Sequence, residues 1–352
     1  MTYKNLIRIW QDKWFDFIRK HPNKKWHWGN ISRNPNLRLD MIENSPELPW
    51  NLSTKGFSLN PNLTWDDVII KGDDYWCWTK LSQNTAIKLE NIINNPHKPW
   101  DFFALSHNKN VTIGFINANI DKGWDWEGLS MNKNITFNDI INNLHHNWDW
   151  DYVSCNPNIT LSTILQNTGY PWNMQYFVLN DSITWEDVRD NPEIKWNWTH
   201  ISYNVNISIN IIKDNLELNW NWGGICSNKS IKYEDVIKNN TLPWKYEDLS
   251  SNDNIIWENI IEKKNENWDW WWVSKNKYID FETINNNKDI DWSWIGISNN
   301  TMENARNKWI YGERLKIIHA NKINHFFLRI IWSPYYKIGR KFILKQAEIL
   351  TK

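Results

Sequence analysis

Residues 124–141 have the sequence Trp124-Asp-Trp126-Glu-Gly-Leu129-Ser130-Met-Asn132-Lys-Asn134-Ile135-Thr136-Phe137-Asn-Asp139-Ile140-Ile141. The first residue of this stretch, the anchor tryptophan, returns along most of the chain. Ten of the eleven steps between anchors are 24 residues and the other is 26. A fixed period of about 20 to 50 residues indicates stacked structural repeats. We number the units 1 to 12 by their anchors: Trp26, Trp50, Trp76, Trp100, Trp124, Trp148, Trp172, Trp196, Trp220, Trp244, Trp268 and Trp292.

The second half of each unit carries the signals of a helix start. Thr136 is a favourable N-cap, and Asp139 lies at the third helical position, where a capping box requires an acidic or amide side chain. Ile135, just before the cap, can pack on Ile140 as a hydrophobic staple. Apolar residues one, four and five places after the cap give a helical face rather than a strand alternation.

The first half of the unit predicts a second short helix. Asp or Asn usually follows the anchor, as at Asp125, and can cap a helix that begins at Trp126. The anchor would then staple onto the apolar residue five places on, as Trp124 onto Leu129. Each unit is therefore predicted to be a hairpin of two helices, which are too short to be stable alone and depend on stacking between units.

An asparagine stands eight places after the anchor in every unit, once the two-residue insertion near residues 53–57 is allowed for. Its position at the end of the first helix predicts either a left-handed C-terminal cap or a ladder of side-chain amides that bridges successive units. The column consists of Asn34, Asn60, Asn84, Asn108, Asn132, Asn156, Asn180, Asn204, Asn228, Asn252, Asn276 and Asn300.

The main alternative is an α/β solenoid of the leucine-rich-repeat type, whose repeat length includes 24 residues. That motif requires an apolar residue at the place of Met131 in every copy, where this chain also has Arg33, Gln83 and Lys275. We therefore expect an all-α fold, a right-handed α-solenoid of about twelve helical-hairpin repeats.

The two ends depart from the period, which predicts three regions. Residues 1–25 form an N-terminal helical cap with an amphipathic helix over 3–20, residues 26–302 form the tryptophan-repeat solenoid, and residues 303–352 form a basic C-terminal helical cap. Ile310 to Ile331 should form one or two longer helices. Both caps are expected to shield the open faces of the stack.

Charge is distributed unevenly although the formal net charge is zero. Residues 1–25 carry seven Lys or Arg against two Asp or Glu, residues 301–352 carry eleven against three, and residues 26–300 carry 22 against 35. An acidic body makes nucleic acid an unfavourable partner. The chain shows no signal-peptide pattern and no apolar stretch near 18 residues, so we expect an intracellular protein without membrane insertion.

The unit Trp-Asp/Asn-Trp-x-x-Leu-Ser-x-Asn-x-Asn-Ile-Thr-x-x-x-Ile resembles the tryptophan-rich repeat families that large DNA viruses of the poxvirus and giant-virus kind encode. The stretch from Ile330 to Lys341 is also similar to a basic segment that closes many giant-virus proteins. The resemblance covers residues 26–300 and implies a viral origin, a location in the host cytoplasm and an interaction role. It implies no chemistry that could be transferred to particular residues.

No motif of a catalytic site, metal site or cofactor site is present, so we expect a protein that is not an enzyme. The three cysteines fall at three different places of the repeat, which gives neither a disulfide framework nor a metal spacing. Cys226 occupies a column that is usually Ser and is expected to be a small buried residue. His145 and His146 lie in a loop without carboxylate or cysteine partners and are expected to be solvated.

Two hypotheses give the tryptophans different roles. Exposed anchors could form a stacking platform for single-stranded nucleic acid or carbohydrate. Buried anchors would instead leave binding to the variable columns one, three, four, seven and nine places after the anchor and near places 18 to 22.

We expect a non-enzymatic scaffold that binds a host or viral protein, with a structural component of a virion as the competing class. Units that depart from the consensus supply the candidate binding residues Lys245, Tyr246, Trp271 and Trp272. The Trp271–Trp272 pair could alternatively pack against the C-terminal cap.

Overall fold

The computed structural model describes residues 2–50, 56–331 and 341, and it confirms the all-α repeat solenoid. No strand occurs in these ranges, so the leucine-rich-repeat alternative is wrong. The insertion residue Thr54 and the tail 332–340 lie outside the described residues. The first helix of each unit, in order from unit 1, spans Trp28–Arg33, Gly56–Leu59 (a 3-10 helix), Trp78–Gln83, Phe102–Leu105, Trp126–Ser130, Trp150–Ser154, Met174–Phe177, Trp198–Tyr203, Trp222–Ser227, Tyr246–Leu249, Trp270–Lys275 and Trp294–Asn299.

Units 1 to 11 each have a second helix, and unit 2 adds a 3-10 turn at Asp73–Tyr75. The N-terminal helix spans Tyr3–Arg19, and a single C-terminal helix spans Glu303–Ile331. The second helices span Leu39–Glu43, Trp65–Lys71, Leu89–Asn94, Ile113–Ala118, Phe137–Ile141, Leu161–Gln166, Trp185–Asp190, Ile209–Asp214, Tyr233–Lys238, Trp257–Glu262 and Phe281–Asn286.

The predicted caps start most of these short helices, although Asp125 makes no side-chain cap bond. Thr136 and Asp139 form a reciprocal capping box, in which the Thr136 hydroxyl accepts from the Asp139 backbone N–H at 3.2 Å. In the first helix of unit 6, the Asp149 carboxylate accepts from the backbone N–H groups of Asp151 and Tyr152. Both arrangements satisfy N–H groups that a helix cannot satisfy internally.

The anchor tryptophans belong to the core. Ten of them are at most 9% exposed, and Trp172 and Trp244 are half-buried. In unit 5, Trp124 Nε1 donates to the carbonyl oxygen of Asn119 at 2.8 Å, and the indole packs edge-to-face on Phe102 of unit 4 with centroids 5.1 Å apart. A buried indole N–H usually has a hydrogen-bond partner, and the repeat supplies one to every anchor.

The asparagine column forms the predicted ladder. Asn132 Nδ2 donates to the carbonyl oxygens of Ser106 at 2.9 Å and Asn108 at 3.1 Å, both at the end of the preceding unit's first helix. Its Oδ1 accepts from the backbone N–H of Asn134 at 3.0 Å. Asn204 has a φ of −68° and a ψ of 126°, which is extended backbone, so the left-handed cap is wrong.

The same ladder joins the last unit to the first, so the solenoid is a closed ring. Asn34 Nδ2 donates to the carbonyl oxygen of Asn300 at 2.8 Å, the bond that most later units make to the unit before them. The edge-to-face packing also continues, because Trp294 lies against anchor Trp26 with centroids 4.9 Å apart and an interplanar angle of 82°. The faces that the caps are predicted to shield are therefore bonded to each other.

The N-terminal helix supplies the second helix that unit 12 lacks. Residues 15–19 lie 24 residues before the second helix of unit 1 and take the corresponding place in the ring. Phe15 stacks on Trp50 with centroids 6.0 Å apart, and Trp65 stacks on Trp100 at 5.7 Å across the same 35-residue separation.

The turn after the N-terminal helix also follows the repeat. Trp26 Nε1 donates to the carbonyl oxygen of His21 at 2.9 Å, five residues back, as the anchors of most other units do. Ile18 is 2% exposed at the place that Ile140 occupies in unit 5. Residues 15–19 thus take the place of a second helix beside the first helix of unit 12.

The C-terminal helix leaves the ring after two turns. Trp309 packs on Trp10 of the N-terminal helix at 5.8 Å, and Ile310 is 2% exposed. The side chains beyond this point are mostly exposed, including Phe326 at 60% and Phe327 at 54%.

Ring closure predicts a cross-link between residues far apart in sequence. Lys24 and Lys288 line one cavity of about 560 Å³ at the junction of units 11, 12 and 1. A short amine-reactive cross-linker should join them in the native protein, and mass spectrometry of the digest should identify the linked peptides. Loss of the link in denaturant is the control. Its absence from the native protein, while links between sequence-adjacent units form, would indicate an open solenoid.

Burial of the anchors predicts a large stability difference between two tryptophan substitutions. Replacement of Trp148, which is 8% exposed, by Ala should lower the free energy of unfolding by about 3–5 kcal/mol, because the site cannot collapse around the lost indole. The same replacement of Trp272, which is 38% exposed, should lower it much less. Urea unfolding followed by circular dichroism measures both, and equal costs would contradict the assignment of the anchors to the core.

Candidate functional site: the inner face of the ring

The first helices form the inner side of the ring. Neighbouring first helices pack closely around most of the circle, whereas neighbouring second helices are farther apart. Elements nearer the axis of a closed ring must lie closer together, which places the first helices inside and the second helices outside. We call the side chains three, four, seven and nine places after each anchor the inner face.

Most of the inner face is exposed or half-buried, although Ala104, Gly128, Gly224 and Gly296 at the fourth place are buried, and its composition varies between units. These places were among the variable columns from which a binding role was predicted, and the structure places them together on one surface. Seven large apolar side chains on the inner face are at least 38% exposed: Phe103, Met131, Leu179, Tyr203, Val205, Trp272 and Ile295.

Contacts between neighbouring units join parts of the inner face. Tyr152 and Tyr176 of neighbouring units pack with centroids 5.7 Å apart, and the negative charge of Glu127 is the main cause that raises the pKa of Tyr152. In the adjoining arc, His107 Nε2 lies 2.9 Å from the Asp125 carboxylate. Asp125 makes this contact to His107 and has no side-chain cap bond to its own helix.

Trp271 and Trp272 form an aromatic pair on this surface. Their rings pack edge-to-face at 4.7 Å, and Lys275 Nζ lies 5.4 Å and 4.8 Å from the two centroids. The Asp269 carboxylate holds both residues at the helix start by accepting from their backbone N–H groups. A Cβ on Gly296 would lie 2.6 Å from the Trp271 carbonyl oxygen, so glycine permits the close approach of unit 12.

The other two candidate residues have different positions. Tyr246 packs edge-to-face on anchor Trp268 at 5.1 Å, in the place where most units have a tryptophan, and burial raises its pKa. Lys245 is exposed, and its backbone N–H donates to Cys226 Sγ at 3.3 Å. The structure therefore shows Tyr246 in a packing position and keeps the Lys245 side chain at the surface.

Cys226 replaces the serine that usually joins neighbouring first helices. In unit 5, for example, the Ser130 hydroxyl accepts from the Asp149 backbone N–H at 2.9 Å. The Cys226 side chain is 0% exposed, and burial raises its pKa to about 11. A buried neutral thiol is a poor nucleophile, which agrees with the structural role predicted for it.

The raised pKa of Cys226 predicts a loss of stability at alkaline pH. The unfolded thiol loses its proton near pH 9, whereas the folded thiol keeps it to about pH 11, so unfolding becomes more favourable as pH rises through this window. Cys226→Ser restores the usual residue and should reduce the loss of unfolding free energy over this pH window by about 1–3 kcal/mol. Urea unfolding at several pH values measures the difference. Parallel curves for the two proteins would contradict this prediction. Ser202→Ala is the control, because it removes the hydrogen bond between neighbouring first helices at a place that has no thiol.

The described residues provide no metal centre. No group of three or more His, Cys, Asp or Glu side chains in this part of the chain could hold a metal ion. His146 packs on Trp126 at 4.9 Å with its Nε2 2.7 Å from Asn117 Oδ1, and burial lowers its pKa. None of the described helices is long and apolar enough to cross a membrane.

Comparison with protein-family models, with curated proteins and with solved structures found no match to this chain.

Proposed function

We propose that the protein is a non-enzymatic interaction scaffold that binds a protein partner on the inner face of the ring. The observation that carries this proposal is the difference in burial between the recurring and the variable columns of the repeat. The recurring Trp, Ser and Asn side chains are mostly buried and bonded within the ring, whereas the variable columns expose large apolar side chains along the inner face. Exposed aromatic and aliphatic clusters of this kind characterise protein interfaces.

The Trp271–Trp272 pair is the best candidate anchor for the partner. Tryptophan buries a large area with few rotatable bonds and is enriched among residues that dominate binding energy. Lys275 beside the two rings adds a cation that can meet a carboxylate of the partner. The surrounding body is acidic overall, which favours a protein partner over a polyphosphate chain.

The size of the opening supports a partner segment rather than a whole domain at the centre. Twelve helices spaced about 8–10 Å apart leave an opening of roughly 20–30 Å once the helix radius is subtracted. One helix of about 10–12 Å diameter fits such an opening with its side chains. A larger partner would bind along the rim.

The buried anchors remove the basis for the tryptophan stacking platform. Base stacking requires free aromatic faces, and the anchor indoles are packed against neighbouring units with their N–H groups bonded inside the chain. Stacking on nucleic acid or sugar would depend on aromatic side chains outside the anchor column, such as Trp272, Phe103 and Tyr203.

A viral origin and a place in the host cytoplasm belong to the same proposal, on the strength of the resemblance of the repeat. The competing class is a structural virion component. Quantitative mass spectrometry of purified virions and of cytoplasm from infected cells separates the two. A stoichiometric amount in virions favours the structural class, whereas a complex confined to the cytoplasm favours the scaffold.

The role of the inner face can be tested with a random peptide library displayed on phage. Selected binders should lose at least about tenfold in affinity for Trp271→Ser/Trp272→Ser, because the central apolar anchor is gone. Ile261→Ser is the matched control, since Ile261 is 39% exposed on a second helix at the outer side of the ring. Fluorescence anisotropy measures both. No selection above background, or equal losses for the two variants, would contradict the proposal.

A further inference from the structure

A polar linkage joins neighbouring first helices at two places on the inner side of the ring. In units 3 and 4, the Thr79 hydroxyl donates to the Asp101 carboxylate at 2.8 Å. In units 6 and 7, Asn173 Nδ2 donates to Asp151 Oδ1 at 2.7 Å. Each linkage joins the residue three places after one anchor to the residue one place after the next anchor. A donor therefore meets an acceptor across both of these interfaces.

Unit 9 lacks the side chain for this linkage, because Gly223 stands three places after its anchor. A Cβ on Gly223 would lie 3.1 Å from Asp248 Oδ2 of unit 10 and 3.2 Å from Asn221 Oδ1 of unit 9. Asn221 Oδ1 accepts from the backbone N–H of Gly224 at 2.8 Å. Among the described residues, the Asp248 carboxylate has neither a side-chain hydrogen bond nor an ion pair. Two acceptor oxygens thus border this place, and no donor side chain is among the atoms nearest to it.

An exposed aromatic ring borders the same pair of glycines. Tyr203 of unit 8 is 49% exposed. A Cβ on Gly224 would lie 3.1 Å from Tyr203 Cδ2 and 3.2 Å from Tyr203 Cε2, so the ring lies against the backbone of unit 9. Neither glycine projects a side chain between this ring and the Asp248 carboxylate. Carboxylates and aromatic ring faces are the groups that attract an ammonium or guanidinium group.

The aromatic pair of unit 11 adjoins this place. Asp248 and Trp272 both stand four places after their anchors in neighbouring units. Tyr152 and Tyr176 have the same relation, and their rings are in contact with centroids 5.7 Å apart. Glu247, which precedes Asp248, is exposed and forms no ion pair with a described residue. Unit 10 thus places two carboxylates beside the tryptophans.

The lysines of this part of the inner side do not neutralise these carboxylates by contact. Lys277 pairs with Asp253 at 3.4 Å, and Lys275 Nζ lies over the rings of the tryptophan pair. Lys229 and Lys245 are exposed, and neither forms an ion pair with a described residue. A contact ion pair with the carboxylates of unit 10 therefore requires a cation from another molecule.

We propose that Asp248, Asn221 and Tyr203 bind a lysine or arginine side chain of the protein partner. An apolar side chain of the same partner segment meets Trp272 beside it. This inference rests on the function proposed for the inner face and names the chemistry of its partner. The ammonium or guanidinium group supplies the donor that Gly223 lacks, and its charge is attracted to both carboxylates of unit 10.

The spacing of the units sets the spacing of the two partner residues. Packed neighbouring helices lie about 8–10 Å apart. An extended chain covers that distance in about three residues, at roughly 3.3 Å for each. The partner segment should therefore carry its basic residue about three residues from its apolar one.

The test uses the full chain and substitutions that remove charge with little change of shape. Glu247→Gln/Asp248→Asn removes both negative charges of unit 10. Glu258→Gln/Glu282→Gln is the matched control, since both glutamates are exposed in the first turns of second helices on the outer side. Circular dichroism and thermal unfolding check that both variants fold.

The probes come from the random peptide library displayed on phage, after removal of peptides that also bind Trp271→Ser/Trp272→Ser. The remaining sequences should be enriched in Arg or Lys about three residues from a large apolar residue. The tightest of them, labelled with fluorescein, should lose at least about tenfold in affinity for Glu247→Gln/Asp248→Asn and keep its affinity for the control. An analogue with citrulline in place of Arg, or norleucine in place of Lys, should lose as much. The two losses should not add, because both remove one interaction.

Three results would overturn this subsite while the function proposed for the inner face stands. They are binders that depend on Trp271 and Trp272 without an excess of basic residues, equal affinities for the unchanged protein and Glu247→Gln/Asp248→Asn, and additive losses for variant and analogue. Additive losses would place the cation of the peptide on another surface. A library without any binder that depends on the two tryptophans would overturn the proposed function itself.

Discussion

One asparagine side chain per unit carries the constraint on which the ring depends. The first helix of each unit ends after one or two turns, so its last carbonyl oxygens have no partner within the helix. In most units the Nδ2 group of the next unit's asparagine donates to them, and its Oδ1 accepts from the backbone two residues ahead. A short, planar amide is the one side chain that does both, because aspartate has no donor and glutamine is longer by a methylene. The column is buried, so each unmade bond would leave a polar group without water.

Closure follows from the same requirement. In an open stack the terminal carbonyl oxygens of unit 12 would have no asparagine to meet them. Asn34 supplies it, and the N-terminal helix supplies the missing second helix, so that every unit in the ring has two neighbours. Twelve units in a full circle turn about 30° each, and the difference in spacing between inner and outer helices provides that curvature. Because unit number and rotation are linked in this way, the ring accommodates altered side chains more readily than an added unit.

Much of this architecture could be predicted from the sequence. The 24-residue period, the Thr136–Asp139 capping box and the apolar pattern predict the helical hairpins, and the asparagine column predicts the ladder among its alternatives. Closure could not be predicted from one unit, because it depends on small rotations between units that propensities do not determine. One signal did exist, since Phe15 and Ile18 match the second-helix columns and residues after 300 do not. The candidate site was predicted in part, with Trp271 and Trp272 found by their departure from consensus. Tyr246 departs from consensus too, but it replaces one aromatic by another in a packing position.

That contrast shows how function can be separated from stability in a ring of similar units. Each consensus side chain contacts the unit before or after it, so a change there affects two interfaces, whereas a change at an inner-face position affects few neighbours. Variation therefore costs little stability on the proposed binding surface and much in the columns that hold the ring. A departure from consensus is informative about binding only when it also leaves an apolar group exposed. Trp272 satisfies that condition, while Tyr246 and Cys226 depart from consensus and remain parts of the packing.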